Sequence, residues 1–462
     1  MWLALTRAVL VLSGIAVQLV LVSYLGDSGY GAYSTVMSVT VLFGVFSHLN
    51  LQLLLAREVA LKPEQAGRYL GESLLAVIAA SIPTTVLVVV YMWLADGRPE
   101  MIWLSIPASL GMAALSLGLV LQGVLQGLRR MRSFPTANLL GRSVLLFGTL
   151  GVLALGFGLG PVFWVQAAAL LVTAVVMLGA FIGGLGLPSL PSLRGTWDLI
   201  RRSVPFMLNR LYGAIYLASD VLVVAWFHAD AEVGIYRIAS LLLIQLAVLS
   251  GVLVDAIYPG MAKAAQDPDE LGDQVSFGVR ILLLTSVPIA VGGMCTASGL
   301  IELALDDSFQ AAVPAMLVLL PILPVRFLNH FAGSALSAVG RQPERTRGTF
   351  YAAIFNVAAN LALVPFLGAL GAAITTLVTE ILLCAFLWWR AGMSVQGVRI
   401  LGPTLKIGVA AAIMAAVVLG LQLLPIPVNV LIQVAVGAAV FVPVTWVLKT
   451  WRLGDVRRLG RI

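Results

Sequence analysis

Apolar runs of about twenty residues recur along this chain from end to end, each long enough to cross a ~30 Å hydrocarbon layer as an α-helix. Fourteen are delimited, near 3–24, 30–56, 69–95, 101–126, 134–159, 161–185, 204–227, 232–262, 275–301, 310–338, 348–366, 368–390, 401–422 and 428–448. No water-soluble core needs such runs: 60% of the 462 residues are hydrophobic, 11% are charged, and mean hydropathy is +1.02. In lipid every backbone polar group needs an internal partner, so spanning segments of this kind are helices. The expected fold class is an all-α integral membrane protein of about 14 transmembrane helices.

Arg7 precedes the first run, as in a secretory leader, but no small-residue cleavage site follows at "LVSYLGDSGYGAY". The run is read as the first transmembrane helix. Cys295 and Cys384 both fall within expected helices, which suggests neither a disulfide framework nor a metal cluster.

Lys and Arg are retained on the cytoplasmic side of short loops, and here they divide unevenly. With the N-terminus inside, the inner loops hold Arg57, Lys62, Arg68, Arg129, Arg130, Arg132, Arg194, Arg201, Arg202, Lys263, Arg341, Arg345, Arg347 and Arg399, and the tail runs from Lys449 to Arg461. The outer loops hold Arg98 alone, among Asp27, Asp96, Glu100, Asp230, Glu232, Asp306 and Asp307. Both termini are therefore expected in the cytoplasm, with the chain in the inner (plasma) membrane. The net charge of +7 is mostly this topological signal, and no nucleic-acid partner is read into it.

An internal repeat organises the fourteen segments. Sliding the chain by 203 residues sets Arg7 on Arg210, Asp27 on Asp230, Gly31 on Gly234 and Tyr33 on Tyr236. Thus "YLGDSGYGAYS" is the counterpart of "FHADAEVGIYR". An offset of 208 sets "LALGFGLG" (Leu153 to Gly160) on "LALVPFLG" (Leu361 to Gly368). The expected domains are a six-helix lobe at 1–190, a second at 200–392, helices 13 and 14 at 400–450, and a basic cytoplasmic tail at 451–462. Six spans separate the copies, so both lobes have the same orientation, related by an axis along the membrane normal.

Short loops and a repeated bundle describe a transporter rather than an enzyme, and no catalytic residues are assigned. The chain carries no G-x-x-x-x-G-K-[ST], no His/Cys ligand spacing and no Ser/His/Asp constellation. "GFGLG" lies within a span and lacks the strand-to-helix setting of a dinucleotide fingerprint, so its glycines fit close helix packing.

The stretches "LGDSGYGAYSTVMSV", "SVPFMLNRLYGAIYLASDVLVVAWF" with "VGIYRIASLL", and "NVAANLALVPFLGALGAAITTLVTE" resemble the multidrug/oligosaccharidyl-lipid/polysaccharide exporter superfamily. Within it the chain most resembles polysaccharide-biosynthesis flippases of the Wzx type. The resemblance reaches about residue 390. It implies two lobes around a cavity that opens alternately to either side, and a polyprenyl-diphosphate-linked oligosaccharide as substrate, carried to the outer leaflet for cell-surface polysaccharide. A polysaccharide polymerase or other assembly protein is the partner this implies. A lipid II flippase and a drug or metabolite/cation antiporter of the same superfamily are the alternative readings. The two helices beyond the repeat and the intramembrane arginines favour the lipid substrate.

A diphosphate crossing low-dielectric surroundings needs cations, and guanidinium offers a donor fork matched to phosphate oxygens. Arg7 and Arg210, related by the repeat, Arg326 after Pro321 and Pro324, and Arg142 two turns into the fifth span are the candidate diphosphate contacts. The plainer reading of each is an arginine reaching to lipid phosphates or pairing with an acid. Asp220 lies ten residues after Arg210, roughly 15 Å along a helix and about 80° around it, which excludes a direct salt bridge. In the related lipid II flippases a monovalent cation site is formed by helices seven, eleven and twelve. The matching positions here are Asp220, Asn356, Asn360 and Thr376, with Thr375 beside it. Glu380 is a further candidate for proton coupling, so the coupling ion is either Na⁺ or H⁺ and no other cofactor is implied. Asp255, like Glu380, is a candidate for proton relay whose plainer role is pairing with an Arg of a neighbouring helix, and His48 and His330 are intramembrane residues whose plainest role is hydrogen bonding within the core.

Overall fold

The computed structural model describes residues 2–265, 267–305, 307–392, 401–424 and 428–451, with the backbone alone described at 2–13, 15, 209, 268 and 307. The basic tail after Trp451 and the 393–400 segment lie outside the described residues. The helices are α1 (Trp2–His48), α2 (Leu51–Leu61), α3 (Ala66–Ala95), α4 (Pro99–Gly127), α5 (Ser133–Ala154), α6 (Leu159–Leu185), α7 (Leu193–Phe227), α8 (Asp230–Ala264), α9 (Pro268–Ala304), α10 (Val313–Leu319), α11 (Ile322–Ala338), α12 (Gln342–Gly392), α13 (Leu401–Gln422) and α14 (Val430–Val447). Among the described residues there is no strand.

Eleven of these segments are long and apolar enough to cross a membrane, and the bent α10–α11 pair makes a twelfth. Two of the twelve are double. α1 is broken at Gly26 (φ 67°) and α12 at Gly368 (φ 53°), left-handed conformations that glycine adopts without a Cβ penalty. Dividing both recovers the fourteen expected spans. The tenth span bends by 46° between α10 and α11, where Pro321 stands immediately before α11 and Pro324 in its first turn. A proline there removes a backbone donor that a continuous helix would need.

α7 is longer than expected. It starts at Leu193, where the Ser192 side chain accepts a hydrogen bond from the Gly195 N–H. Gly195, Thr196, Leu199 and Ser203 are buried along one face of this extension, while Leu193, Arg194, Trp197, Asp198 and Arg201 are exposed. Those charges lower the local hydropathy, which is why the span read from sequence begins only at residue 204.

The chain forms two compact units, Met1–Gly234 and Ile235–Ile462. α7, which the repeat assigns to the second lobe, belongs with the first unit and packs on α1 and α3. The first unit is centred on Leu51, Leu55, Leu70, Val77, Val124 and Phe181. Its repeat-related residues meet reciprocally. A Cβ on Gly31 would lie 1.7 Å from the Asp230 carbonyl oxygen, and one on Gly234 would lie 2.1 Å from the Asp27 carbonyl oxygen. Two of the four pairs set by the 203-residue offset, Asp27 with Asp230 and Gly31 with Gly234, thus meet, residue i of one copy on residue j of the other and the reverse. That is the mark of a local two-fold relation. In the second unit α9 packs on α10, α11, α13 and α14, and both α10 and α11 lie on α12.

Candidate functional site

The first unit holds three of the four arginines expected to meet an anion. Arg7 stands on α1 with its side chain outside the described residues. Arg142, on α5, reaches α1, its Nη1 3.7 Å from where a Gly14 Cβ would stand. Arg210 is exposed on α7 and is an electrostatic neighbour of His48, the last residue of α1. Among the described residues no carboxylate forms an ion pair with Arg142 or Arg210. His48 itself belongs to a buried polar seam: His48 Nδ1 is 2.6 Å from Ser116 Oγ, and Ser47 Oγ is 2.6 Å from Ser81 Oγ. Ser116 and Ser81 give their protons to the Met112 and Val77 carbonyls. His48 and Ser47 are therefore the donors in this seam. Asp220 is 6% exposed on α7 and is not a lone charge. Its burial and the exposure of Arg210 on the same helix agree with their expected angular separation.

Arg98, the single outer-loop cation in the sequence, is fully engaged. Its Nε and Nη2 donate to Asp96 at 2.7 Å each, and its Nη1 and Nη2 donate to Asp230 at 2.6 and 3.0 Å. Partial burial draws the Asp96 carboxyl upward, but hydrogen bonds from the Arg98 side chain and N–H outweigh it and hold the group below its ordinary range. The Arg98 guanidinium is raised in turn, first by Asp96 and then by Asp230.

In the second unit the two halves of α12 fold against each other at Gly368 and bring most of the expected coupling residues into one buried seam. Asn356 and Asn360 are fully buried and Asn360 Nδ2 donates to Asn356 Oδ1 at 3.1 Å. Asn356 Nδ2 reaches Thr379 Oγ1 at 3.5 Å. Thr376 gives its proton to the Ala372 carbonyl, so Tyr236 O–H, 3.4 Å away, donates to Thr376. Thr375 is 1% exposed, and its Oγ1 has no partner among the described residues.

Glu380 continues the seam and meets the fourth arginine. Arg326 Nε on α11 donates to Glu380 Oε1 at 2.6 Å, and Asn329, one turn on from Arg326, donates through Nδ2 to Glu380 Oε2 at 2.6 Å and to its carbonyl at 3.0 Å. Arg326 retains 18% side-chain exposure against 3% for Glu380. A diphosphate contact and a coupling acid, expected separately, are one ion pair. Asn329 was missed by sequence reasoning, although its i, i+3 spacing from Arg326 sets both on one face of α11. His330 hydrogen-bonds Ser250 at 3.0 Å, the core role expected for it. At the ends of α12, Arg341, Arg347 and Arg390 converge on Glu344.

A monovalent cation held by neutral oxygens needs a nearby negative charge. Within the second unit the Asn and Thr oxygens supply none, and Glu380, the seam's carboxylate, is engaged by Arg326. No group of three or more His, Cys, Asp or Glu able to hold a metal ion occurs among the described residues.

The second unit also carries an apolar cavity of about 680 Å³ walled by α8, α9, α13 and α14. Leu246, Pro288, Gly292, Met414, Gly437 and Phe441 are among its lining residues. Its size is that of a ligand pocket, and its walls include both helices that lie outside the repeat.

Residues 2–265 match the family described as "Polysaccharide biosynthesis protein". The chain belongs to this family. It is 22% identical over 336 residues, 70% of both chains, to the probable low-salt glycan biosynthesis flippase Agl15 of Haloferax volcanii. It is 24% identical over 150 residues to the teichuronic acid biosynthesis protein TuaB of Bacillus subtilis, covering 32% of this chain and 31% of that one. Among solved structures, the lipid II flippase MurJ in an inward closed conformation superposes with TM-score 0.81 at 13% identity, covering 96% of this chain and 98% of that one. An inward-facing multidrug resistance MATE family transporter of the MOP superfamily superposes with TM-score 0.66 at 15% identity, covering 83% and 94%. The fold of this family member is that of the MOP superfamily, as the sequence resemblance implies, and the protein is a multi-pass membrane protein.

Proposed function

We propose that this protein is a flippase that moves a polyprenyl-diphosphate-linked oligosaccharide from the cytoplasmic to the outer leaflet by alternating access, for cell-surface polysaccharide biosynthesis. Both termini then face the cytoplasm, as the loop cations require. The single observation that carries this reading is the apolar cavity walled in part by α13 and α14, together with family membership. A two-lobed exporter of small amphiphiles has no use for two additional helices bordering an apolar groove, whereas a substrate with a long isoprenoid tail needs a place for that tail while its charged head moves. Arg7, Arg142, Arg210 and Arg326 are the residues assigned to the diphosphate. Each can supply charge-assisted bonds to phosphate oxygens, which are stronger than neutral ones.

Transport in this reading is coupled to a cation, Na⁺ or H⁺, and the donor set around Glu380 favours H⁺. The test is reconstitution in liposomes with a fluorescent polyprenyl-diphosphate disaccharide in the inner leaflet. Protein-dependent appearance of that lipid in the outer leaflet supports the proposal. Efflux of a cationic drug without lipid movement supports the antiporter instead.

A further inference from the structure

Arg326 and Glu380 form a pair whose members differ in access: the arginine retains 18% side-chain exposure, and the carboxylate 3%. An incoming anion therefore meets Arg326, with Glu380 behind it. Glu380 cannot follow the arginine outward, because Asn329 ties both its Oε2 and its backbone carbonyl to α11. The substrate's charge added beside this pair leaves a buried set with excess negative charge. In low-dielectric surroundings such an excess is removed by neutralising the most buried acid. The surroundings already hold an acceptor for that proton. Asn329 is 7% exposed, and its Oδ1 is buried without a hydrogen-bond partner among the described residues. With Glu380 ionised, the amide donates Nδ2–H to Oε2. With Glu380 protonated, a turn of the same amide presents Oδ1 to Oε2–H and gives up the bond to the Glu380 carbonyl, so either state of the acid has a partner.

Building on the flippase reading, we propose that the substrate's diphosphate binds Arg326 in exchange for Glu380, that Glu380 takes up one proton from water as it is displaced, and that Asn329 is the amide that serves both states. Among the described residues the charged and titratable groups around Glu380 include Arg326 from α11, Cys384 one turn along α12, and Tyr236 from α8, which reaches Thr376 one turn before Glu380. α10, which also packs on α12, has the sequence VPAMLVL and offers none. One proton enters for each diphosphate bound and leaves when it is released, so a proton travels with the substrate and the pH gradient acts on transport at a single ion pair.

The test titrates inorganic pyrophosphate onto the purified full-length protein in weakly buffered solution with a pH indicator, comparing wild type with Glu380→Gln so that the probe's own titration cancels. Wild type should take up one more proton per pyrophosphate than Glu380→Gln. Its affinity should fall about tenfold per pH unit under alkaline conditions, relative to the variant. Arg326→Gln alone strands a buried carboxylate, so Arg326→Gln/Glu380→Gln, which removes both charges together, is the informative loss-of-site variant. It should fold and bind at least tenfold more weakly than Glu380→Gln. Asn329→Leu should reduce the proton uptake, and Asn329→Gln should restore part of it. Equal proton uptake and parallel pH profiles in wild type and Glu380→Gln would overturn the exchange. If wild type nonetheless flips the polyprenyl-diphosphate lipid, the transport reading stands. If wild type neither binds pyrophosphate nor flips the lipid, both fail.

Discussion

Gly31→Ala places one methyl group at the closest backbone approach in the first unit. The new carbon would stand 1.7 Å from the Asp230 carbonyl oxygen and 3.0 Å from the Gly234 nitrogen. Contact optima lie near 3.5 Å, so the first turn of α8 must retreat by more than 1.5 Å or so from α1. The obstacle is backbone, which cannot rotate away as a side chain tip can. Overpacking of this kind costs about 1–3 kcal/mol and occasionally more, and the helix propensity gained by alanine returns at most ~1 kcal/mol. A net loss of about 2 kcal/mol should lower the melting temperature of the detergent-solubilised protein by roughly 2–4 °C. Gly213→Ala is the control: its added carbon meets nothing within 4 Å on α7, and it should be neutral or slightly stabilising. Gly234→Ala, whose carbon would lie 2.1 Å from the Asp27 carbonyl, should behave like Gly31→Ala. The double variant should cost less than the sum of the two, because one separation of the helices relieves both contacts. Fluorescence-detected size-exclusion after a temperature series reads all four. Wild-type stability in Gly31→Ala would refute the reciprocal crossing, and with it the physical meaning given to the 203-residue repeat.

Arg98→Ala removes the clamp on Asp96 and Asp230 and should cost about 1 kcal/mol at neutral pH, since the arginine is partly exposed. Because the folded-state Asp96 carboxyl is held low, its contribution is full above the unfolded value near 3.9 and is lost as pH falls through the folded value. Melting curves of wild type and Arg98→Ala should therefore run parallel from pH 7 to 5 and converge below about pH 4. Gly292→Leu fills the apolar cavity from a position where the first added carbon meets only Met414 Cε at 3.7 Å. It should slow translocation of a long-chain polyprenyl-diphosphate substrate at least tenfold while leaving a farnesyl analogue within about threefold, read in the liposome assay. Equal effects on both would detach the cavity from the tail.

The spans were legible because burial in lipid demands one simple property, twenty apolar residues in a row, whatever the helices touch. Pro321 marked the bend in the tenth span, because a missing donor acts locally. Gly26 and Gly368 marked joints, yet hydropathy cannot tell a kinked continuous helix from two helices and a loop. The amphipathic start of α7 was hidden because its buried stripe, apart from Leu199, is the small or polar Gly195, Thr196 and Ser203. At the site, residue types were readable and pairings were not. Arg326 and Glu380 are 54 positions apart, and their meeting depends on the register of α11 on α12, which no local pattern encodes. Asp220 resisted pairing with Arg210 for a reason available from helix geometry alone. Asn329 carried a readable signal, one turn from an arginine within a span, that drew less notice than the adjacent His330.

The most direct test is outer-leaflet exposure of a fluorescent polyprenyl-diphosphate oligosaccharide in proteoliposomes with an imposed pH gradient. Protein-dependent flipping that responds to the gradient in wild type, and loses that response in Glu380→Gln, is the predicted result. No flipping above protein-free liposomes, at any gradient, would contradict the account.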